Sequence, residues 1–168
     1  MIRLYIKAAV LVVAIITMSF SVQAQKSGGT LVYLVQPEPP TLASYVSTSG
    51  PIGLVAPKIY EGLFDYDNDL NIIPVLAETY SVSKDGKTVT FNLRKGVTWH
   101  DGKPFTSADV KFTVLQVLKK VHPRGPNSFR EVYRIDTPDA HTAIFKLNNP
   151  APYMLRSFAA YESPIVPK

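Results

Sequence analysis

The chain contains no cysteine in 168 residues. That excludes disulfides and a cysteine nucleophile, and it leaves no attachment point for the lipid of a bacterial lipoprotein. The patterns G-x-S-x-G, H-E-x-x-H and G-x-x-x-x-G-K-[ST] are also missing, so the common signatures of serine hydrolases, zinc proteases and phosphate-binding loops have no footing. Charge is never concentrated. The formal net charge is +5, but no basic run exceeds Arg94-Lys95 or Lys119-Lys120, and nucleic-acid binding needs a clustered basic face. The longest uncharged apolar run, Ala8 to Phe20, is short of the roughly 20 residues that span a bilayer.

That run has a different reading. Arg3 and Lys7 precede it, and Val22-Gln23-Ala24 follows with residues suited to a cleavage site, so residues 1–24 read as a secretory signal peptide. Residues 25–168 are enough for one domain with a real core. The 14 prolines of the chain argue for many turns and against a helical bundle.

Thr30 to Val35 is apolar on both parities and predicts a strand buried on both faces, stopped by Pro37, Pro39 and Pro40. A polar loop, 41–53, leads to a predicted short helix over 54–63. Phe64-Asp65-Tyr66-Asp67 reads as a short strand. Asp85-Gly86 marks a hairpin turn, and Val89, Phe91 and Leu93 beyond it alternate as one buried face. Thr106 with Asp109 three residues on forms a capping-box pattern opening a helix. Its apolar stripe includes Phe112, Leu115 and Leu118, with Val110, Val114, Val117 and Val121 widening the face. A second antiparallel pair, 132–135 with 142–147, is predicted to turn across 137–140. Pro150 is predicted to open a helix around 151–160, and 163–168 reads as an extended exit. Phe91, Leu93, Trp99, Phe112, Leu115 and Phe145 are the predicted shared core.

Three groups invite chemistry but have simpler readings. His100-Asp101 sits in a Gly-Pro turn, and His122 and His141 lie too far away in sequence to complete a metal site by spacing, so Asp101 reads as a turn former. Trp99, the only tryptophan, reads as core. Arg94-Lys95 reads as a solvated turn, with no glycine-rich loop beside it.

Several stretches in order carry a resemblance. They are Gly28-Gly29-Thr30-Leu31, Tyr60-Glu61-Gly62-Leu63, Pro74-Val75-Leu76-Ala77-Glu78 and Ser83-Lys84-Asp85-Gly86. Thr90 to Val97, His100-Asp101-Gly102-Lys103-Pro104, Thr106 to Val110, Phe145-Lys146-Leu147 and Ser163 to Lys168 complete the series. Together they resemble the extracellular solute-binding proteins of peptide-type (family 5) ABC importers. The resemblance implies a mixed α/β fold of two large lobes that close on a ligand, plus a smaller extra lobe. On that analogy residues 25–57 open the first large lobe, 58–165 form the small lobe and 166–168 return to the first, with the rest missing.

The resemblance further implies no enzymatic activity and no cofactor. It implies a periplasmic location, a peptide or small-molecule ligand, an ABC permease in the inner membrane as partner, and a monomer at full length. The alternatives are a truncated gene product without transport activity or a secreted hydrolase. The loop Tyr45 to Gly50 resembles the segment that meets ligand in peptide-binding members, with Thr48, Ser49 and Gly50 at backbone-contacting positions. Many members carry Leu-Asp-Pro just before it, where this chain has Leu42-Ala43-Ser44. A contact using that Asp therefore has no counterpart here. Phe129 is the remaining site candidate, either reaching a cleft mouth or tucking its loop onto its own lobe.

Overall fold

Alternation along two strands organises the molecule. The computed structural model describes residues 28–168. In chain order its regular elements are α1 (Gly50–Val55), β1 (Phe64–Tyr66), β2 (Ile72–Pro74), β3 (Ala77–Val82), β4 (Thr88–Leu93), α2 (Ser107–Phe112), α3 (Gly125–Ser128), β5 (Val132–Asp139), β6 (Thr142–Leu147) and α4 (Tyr153–Ser157). The leader expected over 1–24 lies outside the described residues. Contacts divide the chain into two units at Leu34/Val35, and all of these elements belong to the second.

Four strands form an antiparallel sheet in the order β3-β4-β6-β5, and β1 pairs with β2 in a separate ribbon. In the central pair Val89 lies opposite Phe145 and Phe91 opposite Ala143. Val89, Phe91 and Leu93 on β4, with Ala143, Phe145 and Leu147 on β6, all point to one side and are buried. Thr88, Thr90, Asn92 and Lys146 point the other way and stay half-buried or exposed, as expected of a sheet with one wet face. Phe158, just past α4, closes the buried face. Its ring lies 5.6 Å from those of both Phe91 and Phe145, and Phe129 approaches it to 4.9 Å.

The capping box opens α2. Thr106 N–H donates to Asp109 Oδ2 at 2.7 Å, while Asp109 Oδ1 accepts the Lys168 N–H at 2.9 Å. The helix then widens into a π turn over Thr113–Leu118. This shifts the buried face from the expected stripe. Val110, Val114 and Leu118 are fully buried at four-residue spacing, whereas Phe112 and Leu115 are only half-buried. Thr113 uses its hydroxyl twice, accepting the Val166 N–H and donating to the Val166 carbonyl, both at 3.0 Å. The extended exit is thus stitched to the helix, and Ile165 N–H bonds the Glu61 carbonyl at 2.9 Å.

Other expectations need correction. Thr30 to Val35 forms no strand. Leu31 and Val32 are 86% and 89% exposed, and the segment enters neither sheet among the described residues, so its backbone gains no ladder of hydrogen bonds. The helix expected over 54–63 ends early because Pro57 has no N–H to continue it. A single 3-10 turn, Ala56–Lys58, follows α1 instead. The second hairpin turns at Ala140-His141 rather than 137–140. Strand β5 runs on through Pro138, which an edge strand tolerates because its missing N–H faces no partner. Helix α4 begins at Tyr153, later than expected.

Phe91→Ala is expected to destabilise the fold by about 3–5 kcal/mol, since the ring is fully buried and packs against the rings of Phe64, Tyr80, Phe145 and Phe158. Leu115→Ala should lose less than half of that, because its side chain already meets water. Urea unfolding of both variants checks this, and equal losses would mean that the helix keeps α register through Leu118.

Candidate functional site

The sequence expectation centres on the loop before α1. Ser44 to Val46 form one 3-10 turn with Ser44 buried. The Tyr45 ring meets Tyr60 edge-on, 5.9 Å between centroids. The Ser47 hydroxyl accepts the Ser49 N–H at 3.3 Å, which holds Ser49 extended as the N-cap of α1. Thr48 and Ser49 are half-exposed and Gly50 is exposed. Among the described residues the N–H groups of Thr48 and Gly50 have no partner. A Cβ built on Gly50 would meet nothing within 4 Å, so solvent reaches the main chain directly.

The back of this loop is held from the far end of the chain. Tyr161 Oη donates to the Thr48 carbonyl at 3.3 Å. Its ring lies against Gly53, where a Cβ would sit 3.0 Å from the ring, so glycine permits the approach. Beside it Glu162, 9% exposed, pairs with Arg124 at 2.5 Å. His122, 3% exposed, accepts the Arg124 N–H at Nδ1, 3.2 Å. Burial pushes the His122 imidazole below its ordinary value, while Glu162 and the Ser47 carbonyl pull it back up.

The structure brings Thr48, Ser49 and Gly50 together on one exposed edge. Tyr45 turns away from them toward Tyr60. Phe129 is not at a cleft mouth. It is 1% exposed and packs on Phe158, so its ring belongs to the core.

A groove of about 870 Å³ was not foreseen from the sequence. Tyr45, Tyr60, Trp99, Phe105 and Phe112 line it, with Lys58, Glu61 and Asp101 among its polar walls. Trp99 is half-buried here rather than deep in the core, and its buried indole N–H has no partner among the described residues. Of the five site residues named from the sequence, only Tyr45 borders the groove. The signal was the crowding of aromatics around the His100–Pro104 turn, which spacing alone could not assemble. Asp101 behaves as a turn former. Its carboxylate bonds the Lys103 ammonium, 2.8 Å away, and the Lys103 N–H, and these hold it below the usual carboxylate range.

The described residues thus form a small α/β unit that leaves main chain bare at one loop. Residues 71–168 match the family model for bacterial extracellular solute-binding proteins, family 5, middle region. The chain belongs to that family, which comprises solute-binding proteins rather than enzymes. A Brucella ovis protein named for peptide binding in an ABC transporter is 40% identical over 98 residues, 57% of this chain and 18% of the relative. The glutathione-binding protein GsiB of Pectobacterium atrosepticum is 49% identical over 57 residues, 34% of this chain and 11% of the relative. The structure of the binding protein AgaA with agropinic acid, from A. tumefaciens R10, superimposes with a TM-score of 0.68 at 40% identity, covering 77% of this chain and 26% of that one. The chain therefore spans about a fifth of the length of the curated relatives it matches. The loop Tyr45–Gly50 precedes the region that the family model covers.

The depressed His122 value fixes a sign. The unfolded chain binds the proton more readily than the folded one. Stability is therefore full above the ordinary histidine value of about 6.5 and is lost as pH falls from there through the lower folded value. Urea midpoints should fall between about pH 7 and about pH 5, and His122→Gln should flatten that step.

Proposed function

We propose that this chain carries the ligand-contacting loop and small lobe of a periplasmic solute receptor. The receptor captures peptides or related small solutes and hands them to the permease of an ABC importer. The observation that carries this reading is the exposed main chain at Thr48–Gly50, with two N–H groups that have no partner among the described residues and no side chain at Gly50 to cover them. Donors of this kind suit the carbonyl or carboxylate of an extended ligand and do not discriminate among its side chains. Family membership and the ligands for which the relatives are named, a peptide, glutathione and agropinic acid, support the same reading. Closure of lobes around the ligand would signal occupancy to the permease. Thr48, Ser49 and Gly50 are the proposed contacts, while Tyr45 packs away from them on Tyr60 and Phe129 is buried in the core.

The groove offers a second location for the ligand, because Tyr45, Tyr60 and Trp99 line it with aromatic surface. The two separate cleanly. Titration with short peptides and with glutathione, followed by amide NMR, is expected to move Thr48, Ser49 and Gly50. Trp99 fluorescence should stay constant. Gly50→Ala should leave the melting temperature unchanged, since the methyl meets open space, and should weaken binding roughly tenfold by blocking main-chain approach. Shifts confined to Trp99 and its neighbours would move the site to the groove and overturn the loop reading.

A further inference from the structure

We propose that His122, Arg124, Glu162 and Tyr161 form a proton-sensitive latch that positions the Ser47–Gly50 loop, with His122 as its sensor. Three segments remote in sequence meet here. The turn after the π helix supplies His122 and Arg124, the C-terminal turn supplies Tyr161 and Glu162, and the loop supplies the Ser47 and Thr48 carbonyls.

The imidazole has little room to move. A Cβ on Gly125 would lie 1.8 Å from the Leu118 carbonyl oxygen and 3.2 Å from His122 Cβ, so this turn is closely packed. In the neutral ring Nδ1 accepts the Arg124 N–H, which leaves the proton on Nε2. Among the described residues Nε2 is buried and has no hydrogen-bond partner, and the Ser47 carbonyl is the backbone group that favours its charged form.

Protonation places a second N–H on Nδ1. Two donors then face each other where one bond had been, and the Arg124 N–H loses its acceptor. The new cation also competes with the Arg124 guanidinium for Glu162, whose carboxylate favours the charged ring. Glu162 adjoins Tyr161, whose hydroxyl holds Thr48. Burial and Glu162 both raise the Tyr161 value, so its hydroxyl remains a donor throughout and the change originates at His122. Burial disfavours the imidazolium, Arg124 opposes it and Glu162 supports it, so the transition falls below the ordinary histidine range.

The latch matters for capture only if the loop contacts ligand, but its test needs no ligand and so fails or succeeds apart from that reading. NMR of the whole chain from about pH 7.5 to about pH 4.5 follows the His122 ring and the Ser47 and Ser49 amides together, with β4 amides as the reporter of intact fold. The expected result is one shared midpoint for His122 and the loop amides, with β4 unchanged. Relative to the intrinsic exchange rate at each pH, protection of the Ser47 and Ser49 amides should fall roughly two- to tenfold across it, the factor corresponding to one hydrogen bond of ordinary net strength. In His122→Gln the loop amides should lose their pH dependence. In Tyr161→Phe exchange should already be fast at neutral pH, with the His122 midpoint retained. The proposal is overturned if the loop amides stay still while His122 titrates, if His122 does not titrate in this range, or if the loop titrates unchanged in His122→Gln. The wild-type comparison decides the matter even if a variant fails to fold.

Discussion

The contact on which the rest of the structure depends is the stacking of β4 against β6 under Phe158. Phe91 and Phe145 approach to 4.9 Å across the two strands, and Phe158 caps both. Neither strand is long enough to be stable as an isolated hairpin partner, and the two are far apart in sequence. Their pairing becomes favourable only because the alternation Val89-Phe91-Leu93 meets Ala143-Phe145-Leu147 on one side and can be covered there. The edge strands β3 and β5 then attach by ordinary hairpins. Everything that covers this face, including Val110 and Val114 of the central helix, answers to the same patch.

The central helix faces two demands. It must cover the sheet and also hold the exit segment, and an ideal α register does not serve both. The π turn over Thr113–Leu118 resolves the conflict by adding one residue to the turn. Val114 and Leu118 stay on the sheet, while the Thr113 hydroxyl reaches the backbone of Val166. Asp109 works in the same direction, capping its own helix with one oxygen and receiving Lys168 with the other. Polar groups buried in this way are tolerated because both of their hydrogen-bonding edges are used.

How much of the fold was legible depends on the range of each signal. The Asp85-Gly86 turn, the Thr106/Asp109 box and the alternation of β4 are local, decided within a few residues, and all three are present. The π turn has no side-chain signature. A 3.6-residue period therefore put Phe112 and Leu115 at the centre of the stripe and Val110 and Val114 at its margin, the reverse of their burial. Thr30 to Val35 has strand composition, but composition cannot supply a neighbouring strand. The candidate loop was visible only through resemblance. Its two physical supports, the Tyr161 hydroxyl on Thr48 and the ring against Gly53, bridge more than a hundred residues and carry no local pattern. The groove around Trp99 was hidden for the same reason, since its walls come from separated segments.

Bare main chain at this loop would suit the proposed capture of varied ligands. A pocket of specific side chains discriminates sharply, because an unpaired buried group penalises every wrong ligand. Main-chain donors at Thr48 and Gly50 present the same two N–H groups to any ligand with a suitable acceptor. Selectivity must then come from elsewhere, and the loop's own requirement is only that it be held still. A loop that reorganises on each encounter would lose affinity to ordering, whereas one pinned from behind is already in place. Tyr161 and the Arg124–Glu162 pair lie behind the loop and leave its exposed edge clear. Rigidity is supplied from behind the loop, and among the described residues its outer edge stays bare.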